Sequence, residues 1–336
     1  MERSGILCGG AWCIDRNISI NHWPQEETVS VMLSEQHHGG CPGHNMSVGL
    51  KKLGAPFPIS AIGLIGQDTD GKHLLEICDN YGIERSALIS RGDVSTSFTF
   101  VMNAADTGKR TFFHSPGSFA VQSPEDFDFS NSTARIIHLG MPGIHKILDV
   151  PWNGEVSGWV AVLKKARAAG LKPNIELVSI EPEKIRAAAL PLLHYLDTLI
   201  INDYEAGALT EIETIKNGVT DPQACKKAAE HLMERSDLSL AAIHFPKGGI
   251  VLSRNGDIAE HGSVDIPKSA IVGTNGAGDA FAAGILFGHH ESWPIMQSLK
   301  LAHASAATSM RHESTTGSIE NWQECLKLAD AWGWRN

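Results

Sequence analysis

The stretch Gly273-Thr274-Asn275-Gly276-Ala277-Gly278-Asp279-Ala280-Phe281-Ala282-Ala283-Gly284 decides how this chain is read. Gly276, Ala277 and Gly278 stand directly before a helical run, so backbone N–H groups can converge at a helix N-terminus, where the dipole also favours an anion. Such a turn is a place for phosphate. Asp279 at the helix start could be an ordinary capping acid, and taken alone the stretch leaves that reading open. A dinucleotide-binding loop is the competing interpretation, but it needs Gly or Ala three residues after Gly278, where Phe281 stands. A second glycine-rich stretch, Gly66-Gln67-Asp68-Thr69-Asp70-Gly71-Lys72-His73, nearly spells a P-loop. It ends on His where Ser or Thr is required, and its two carboxylates would repel a triphosphate.

Around these motifs the sequence is that of a folded globular protein. At roughly 100 to 200 residues per domain, 336 residues allow two domains or one large α/β domain with an appendage. Apolar residues at 42% and charged residues at 20% leave little room for disorder, collagen or coiled coil. With 28 Lys and Arg against 38 Asp and Glu, the net charge of -10 opposes binding to nucleic acid or an anionic membrane, so a phosphate ligand must meet local positive potential. No apolar run approaches the roughly 18 to 20 residues of a membrane-spanning helix, and Met1 to Cys8 contain no signal-peptide core, so a cytoplasmic enzyme is expected. Cys8, Cys13, Cys41, Cys78, Cys225 and Cys325 form no C-x-x-C pair. That pattern points to reduced, mostly buried thiols rather than to zinc or disulfides.

Short apolar runs alternate with amphipathic stretches. Ile59 to Ile65, Ala134 to Leu139, Leu196 to Ile201 and Ala241 to Phe245 read as strands, and Glu155 to Ala169, Gln223 to Arg235 and Ile295 to Met310 as helices. The alternation predicts a mainly parallel sheet covered on both faces. Arg16 to His38 and Val94 to His114 break the rhythm, and the second holds two β-rich runs, Ser97 to Met102 and Arg110 to His114, around a turn at Asn103 to Lys109. Both read as parts of a small β appendage. Gly249 to Ser253 and Asp257 to Gly262, joined at Asn255-Gly256, read as a hairpin of the main domain. The adjacent pairs His37-His38 and His289-His290 lack the i, i+4 spacing of helical metal ligands and are expected at the surface or in loops. Trp12 could pack in the core or on a sugar face.

In these residues the chain resembles the ribokinase-like sugar kinases, the PfkB carbohydrate kinase family, from about Ile6 to about Ile319. Gly276-Ala277-Gly278-Asp279 with the following Ala-Phe-Ala-Ala-Gly is similar to the family's C-terminal signature, and Asn202-Asp203-Tyr204-Glu205 to its N-x-x-E motif. Gly39-Gly40 with Asn45, then Gly54, then Gly63-x-x-Gly66-x-Asp68-x-x-Gly71, resembles the N-terminal signature, and Gly10 and Asp15 follow the first strand as in the family. The resemblance implies one three-layer α/β/α ribokinase-like domain over residues 1–336, with a mainly parallel central sheet and a small β-sheet lid from about 16–38 and 94–114. It implies phosphoryl transfer from Mg-ATP to a sugar hydroxyl. Asp279 would be the base, and the backbone of Gly276, Ala277 and Gly278 the anion hole. Asp15, Gly40 and Asn45 would hold the sugar, Thr274, Lys247, Gly248 and Gly249 would lie at the nucleotide, and Asn202 and Glu205 would organise Mg²⁺. Such chemistry asks for positioning, an anion hole and a base. The lid would exclude water on closing and could form a homodimer.

The chain also departs from that pattern. Gly273 replaces an acidic residue that helps bind an activating monovalent cation, which leaves a K⁺ requirement open. The Gly40 to Asn45 spacing is one residue longer than usual, and Pro246 stands at the first glycine of the family's G-x-x-G, where it fixes φ and removes a donor. Two other functions are therefore weighed. A nucleoside kinase of the same fold would use lid aromatics such as Phe98, Phe100 and Phe112 to stack on a base. A non-catalytic sugar or nucleotide sensor would bind without forming ADP.

Overall fold

In the computed structural model, which describes residues 3–335, the chain runs β1 (Ile6–Gly10), β2 (Cys13–Ile20), β3 (Met32–Gly40), α1 (Cys41–Lys52), β4 (Ile59–Gly66), α2 (Thr69–Asn80), β5 (Glu84–Arg91), β6 (Ser97–Ala104), β7 (Arg110–Ser115) and β8 (Ile136–Gly140). It continues through α3 (Gly158–Ala168), β9 (Lys172–Glu176), α4 (Pro182–Ala189), β10 (Thr198–Asn202), α5 (Asp203–Thr210), β11 (Ile215–Lys216), β12 (Val219–Thr220) and α6 (Pro222–Glu234). The hairpin strands β13 (Leu240–Phe245), β14 (Gly248–Ser253) and β15 (Ile258–Gly262) precede α7 (Ala277–His290), α8 (Ile295–Ser309) and α9 (Trp322–Trp332).

Nine strands form one sheet in the order β15-β14-β13-β10-β9-β8-β1-β4-β5, parallel except for the β13-β14-β15 meander at one edge. Its strands are apolar because helices cover both faces: one core joins Ile6, Cys8 and Ile59 to Leu50, Phe281, Phe287 and Leu301, the other joins Ile137, Ile175 and Ile201 to Trp159, Leu163, Ile185 and Leu232. The architecture is the expected three-layer α/β/α fold. The chain leaves β1 toward β4 and β5 and then returns to β8, β9 and β10 on the other side, so the strand order reverses between β1 and β8. In open α/β sheets ligands gather at the carboxyl ends of strands beside such a reversal.

A second, four-stranded sheet, β3-β2-β6-β7, stands apart over that end. Its two outer pairs, β2-β3 and β6-β7, are antiparallel, whereas β2 and β6 run parallel from Cys13↔Ser97 to Ile20↔Ala104. Arg16 ties it to the main body through Asp70 at 2.6 Å, with its guanidinium 4.3 Å from the Phe98 ring centre.

Several boundaries differ from the periodicity. The helix expected from Glu155 begins at Gly158, because Ser157 caps it by accepting from Val160 N, and Glu155 belongs to a turn bridged to Trp152. The strand expected to end at Met102 runs on to Ala104. β5 and β9 were not expected at all. Of the histidine pairs, His290 is buried rather than superficial: it stacks 3.7 Å from Phe57 and accepts from Gly5 N at 2.8 Å. Trp12 is fully buried, and its Nε1 donates to Ile62 O at 3.0 Å, so it is a core residue and faces no sugar. All six cysteines are free thiols, five of them buried. No helix of the described residues is long and apolar enough to cross a membrane.

Candidate active site

The turn before α7 is held by Gly276, which has φ +79° and no room for a side chain: a Cβ there would lie 2.5 Å from Thr315 Cβ. Asp279 follows at the third helical position. Its carboxyl does not cap the helix; it accepts from Asn45 Nδ2 at 2.7 Å. Asn45 is oriented in turn, because Thr315 Oγ1 donates to its Oδ1 at 2.6 Å and His44 Nδ1 lies 2.9 Å from the same oxygen. The amide nitrogen is thereby turned onto Asp279. Asn45 thus reaches the site, but its side chain is engaged in holding the acid.

In front of Asp279 lies a cavity of about 500 Å³, lined by Asp15, Asn45, Glu176, Glu205, Asp279 and Thr315 on its polar side and by Val101, Phe112, Met141, Ile144 and Leu177 on its apolar side. Asp15 enters from β2 in the small sheet. Gly40 makes room for it, since a Cβ at that position would meet Asp15 Oδ2 at 2.5 Å. Burial, opposed by a weak bond from Cys13 and joined by the Asp279 charge, pushes Asp15 up to about 6. Burial likewise pushes Glu176 up to about 7, with the Glu205 charge adding to it. Asp279 is raised well above the ordinary carboxylate range by burial and by Glu176, to which it is hydrogen-bonded. Glu176 was not expected at the site from the sequence.

A second cavity, of about 730 Å³, opens on the other side of the same turn. It is lined by Thr274, Ala277, Gly278, Asn202, Tyr204 and His244, with apolar walls from Phe245, Pro246, Val264, Ile266 and Phe281. The two cavities share Ser179 and Gly278. Of the residues expected at the nucleotide, Thr274 lines this cavity. Lys247 is exposed at the β13–β14 turn, and Gly248 and Gly249 are buried within the hairpin, so Phe245 and Pro246 form the wall there.

Asn202 and Glu205 form a capping box at the start of α5: Glu205 N donates to Asn202 Oδ1 at 2.8 Å, and Asn202 N to Glu205 Oε2 at 3.1 Å. Ser179 Oγ donates to Glu205 Oε1 at 2.8 Å. Asn202 faces one cavity and Glu205 the other. Both carboxylate oxygens already accept one bond, so these residues fit a hydrated Mg²⁺ held through its waters better than a bare ion. A further residue arrives from the small sheet, Arg110, whose Nη2 would lie 2.6 Å from a Cβ at Gly273. The guanidinium occupies the room that a side chain at Gly273 would need, at the mouth of the anion turn.

Two cavities that meet at a helix N-terminal turn, with an acid from that helix lining one of them, are the layout of a phosphotransferase acting on an alcohol. A model of the pfkB family of carbohydrate kinases matches residues 6–322, and the chain belongs to that family. It is therefore a carbohydrate kinase, transferring phosphoryl to a sugar hydroxyl, with ATP as the co-substrate the family uses. The 5-dehydro-2-deoxygluconokinase of Geobacillus thermodenitrificans is 22% identical over 333 residues, covering 96% of this chain and 94% of the relative. Fructokinase-1 of Zea mays is 22% identical over 303 residues, covering 87% and 88%. Among solved structures, Arabidopsis thaliana ribokinase complexed with ribose and ATP superposes with a TM-score of 0.76 at 19% identity, covering 98% of this chain and 99% of the other. A Burkholderia thailandensis nucleoside kinase in complex with inosine gives 0.71 at 15%, covering 99% and 100%.

Proposed function

We propose that this chain transfers the γ-phosphoryl of Mg-ATP to a hydroxyl of an uncharged sugar, with Asp279 as the base and the Gly276, Ala277 and Gly278 backbone as the anion hole. The observation that carries this reading is the position of Asp279. Its carboxyl leaves the helix uncapped, lines the smaller cavity next to Gly278, which both cavities share, and is oriented by Asn45. ATP would occupy the larger cavity, with its adenine between the apolar walls and its phosphates toward Thr274 and the turn. Asn202 and Glu205 would hold Mg²⁺ through water, and the ion would neutralise charge on the phosphates. Asp15 would accept from sugar hydroxyls, and Gly40 would give Asp15 the room to do so. Lys247, Gly248 and Gly249 would support the nucleotide side through the hairpin that carries Phe245 and Pro246.

Four carboxyls line the acceptor cavity and, among the described residues, no Lys or Arg does, which supports a neutral acceptor. The relatives named for 5-dehydro-2-deoxygluconate act on a sugar acid, so that compound belongs in the test. The apolar wall favours a second reading: Phe112, Met141 and Ile144 could receive the base of a nucleoside. The small sheet would act as the lid. Its exposed Trp23, Val31, Met32, Leu33 and Phe113 support a homodimer through that face, which light scattering of the purified protein tests. A cytoplasmic location is part of the same proposal.

The test is ADP release with Mg-ATP across neutral hexoses and pentoses, sugar acids and nucleosides, with Asp279→Asn alongside. One neutral sugar should turn over, and Asp279→Asn should lose roughly 10²-fold or more in kcat, the scale of a positioned base. A nucleoside hit would establish the second reading. Ligand-induced stabilisation without ADP for any compound would make the protein a sensor.

A further inference from the structure

A parallel strand covered on both faces should be an apolar run, yet three neighbouring strands carry a line of buried polar side chains behind the site. His138 on β8, Asn174 on β9 and Thr198 on β10 lie side by side in register and are 0%, 1% and 1% exposed. Thr198 Oγ1 donates to Asn174 Oδ1 at 3.0 Å, which turns Asn174 Nδ2 onto His138 Nδ1 at 2.7 Å. That nitrogen must then accept, so the imidazole carries its proton on Nε2. His138 Nε2 lies 3.3 Å from Glu176 Oε2, out of line for a full hydrogen bond, and neither buried atom has another partner. Glu176 and Asp279 line the same cavity, and their two carboxyls interact directly.

We propose that Glu176 is the proton-holding partner of the base: Thr198, Asn174 and His138 fix the Glu176 proton on the oxygen that faces Asp279, so that Asp279 remains the carboxylate. The inference rests on the reading of Asp279 as base. Two contacting carboxyls hold one proton between them, and the hydrogen bonds decide where. Asp279 receives a 2.7 Å donor from Asn45, whereas Glu176 has only the long contact from His138, so the anion is better held on Asp279. His138 Nε2–H then faces the carbonyl oxygen of Glu176. In the reaction the acceptor oxygen bonds to the γ-phosphorus, the bond from that phosphorus to the β-bridging oxygen breaks with its electrons leaving on ADP, and the hydroxyl proton passes to Asp279. Glu176 keeps its own proton throughout. The other charged or titratable groups facing the pair are Asp15 from the small sheet, Glu205 from α5 and Cys41 from α1. His138, Asn174 and Thr198 are positioning residues, since their side-chain polar contacts are with one another and with Glu176.

The pair is active with one proton, so kcat should follow a bell in pH, lost on the acid side as the second proton binds and on the alkaline side as the last one leaves. Glu176→Gln supplies a permanent donor to Asp279. Whatever its plateau kcat, it should abolish the alkaline limb and move the acid limb to lower pH. His138→Phe removes the donor that an ionised Glu176 would need and should move the alkaline limb upward, while His138→Gln, which restores an N–H, should return it toward wild type. A merely structural role would change expression or melting temperature and leave the limbs in place, which would overturn the proposal. Two readouts need no turnover. ¹⁵N NMR should find His138 neutral with its proton on Nε2, and an infrared band of a protonated carboxyl at about pH 6 should be lost in Glu176→Gln. A proton on Nδ1, or a band that survives Glu176→Gln and disappears in Asp279→Asn, would refute it. Absence of turnover with every acceptor would instead remove the kinase reading, while the spectra still decide where the proton resides.

Discussion

Asp15, proposed to bind the sugar hydroxyls, shows what a buried carboxylate costs a fold. Burial holds its pKa near 6, against 3.8 for a free side chain, because the ionised form has lost water and gained little in exchange. A folded-state value above the unfolded one means that the native state binds the proton more tightly. The stability linked to it is complete below the unfolded pKa and is lost as pH rises through about 6. Asp15→Asn removes that loss. Above pH 7 the variant should melt higher than wild type, by roughly 2 to 3 kcal/mol of unfolding free energy, and the difference should shrink as pH falls below about 5. Its acceptor KM should rise at least tenfold, since the amide replaces one of the two acceptor oxygens with a donor and removes the charge. Paired denaturation and kinetics check both halves, and a variant that is less stable at pH 8 would show that Asp15 is better solvated or paired than its surroundings indicate. Gly40 belongs to the same argument, because a methyl group there would strike the Asp15 carboxyl.

At the scale of elements, β7 delivers Arg110 to Gly273, where a guanidinium stands at the mouth of the anion turn and no carboxylate is available on that residue. A fixed cation at that point can serve the phosphates directly. Turnover should therefore stay within roughly twofold when K⁺ is replaced by an organic cation, whereas Arg110→Met should lower kcat/KM for ATP by roughly 10²-fold. Strict K⁺ dependence with an indifferent Arg110→Met would reverse the assignment. Arg110 was legible as the start of a β-rich run, but its reach to Gly273 was not, because the contact joins residues far apart in sequence. The same limit explains the strands. β4, β8, β10 and β13 announce themselves as apolar runs. By contrast β9, Lys-Pro-Asn-Ile-Glu, carries Pro, Asn and Glu in five residues, and β5 is an edge strand bounded by Glu84 and Arg91. β9 is polar because Glu176 lines the site and Asn174 lies buried behind it, so the segment hardest to recognise as a strand is one that serves it. His138 did offer a signal, as the one polar side chain in an otherwise apolar strand.

For the whole molecule, the order of the strands decides where ligands bind and the distribution of charge decides which. The sheet reverses between β1 and β8, and the acceptor cavity lies beside their carboxyl ends, under the small sheet. The net charge of -10 is not spread evenly around it: Asp15, Glu176, Glu205 and Asp279 all line the cavity proposed for the acceptor, whereas the side proposed for the phosphates has the helix N-terminus and Arg110. Motif order in the sequence made the family and the reaction legible. It could not show this polarity, because those four carboxyls come from the small sheet, β9, α5 and α7. An acceptor bearing its own carboxylate would meet like charge in a half-enclosed space, where repulsion is screened poorly. A neutral hexose should therefore exceed its aldonic acid by at least tenfold in kcat/KM, and the ratio should narrow in high salt if long-range repulsion contributes. Preference for the acid would mean that closure of the small sheet brings a cation into the cavity. His114, which already lines it, and Arg110 would then be the first side chains to replace.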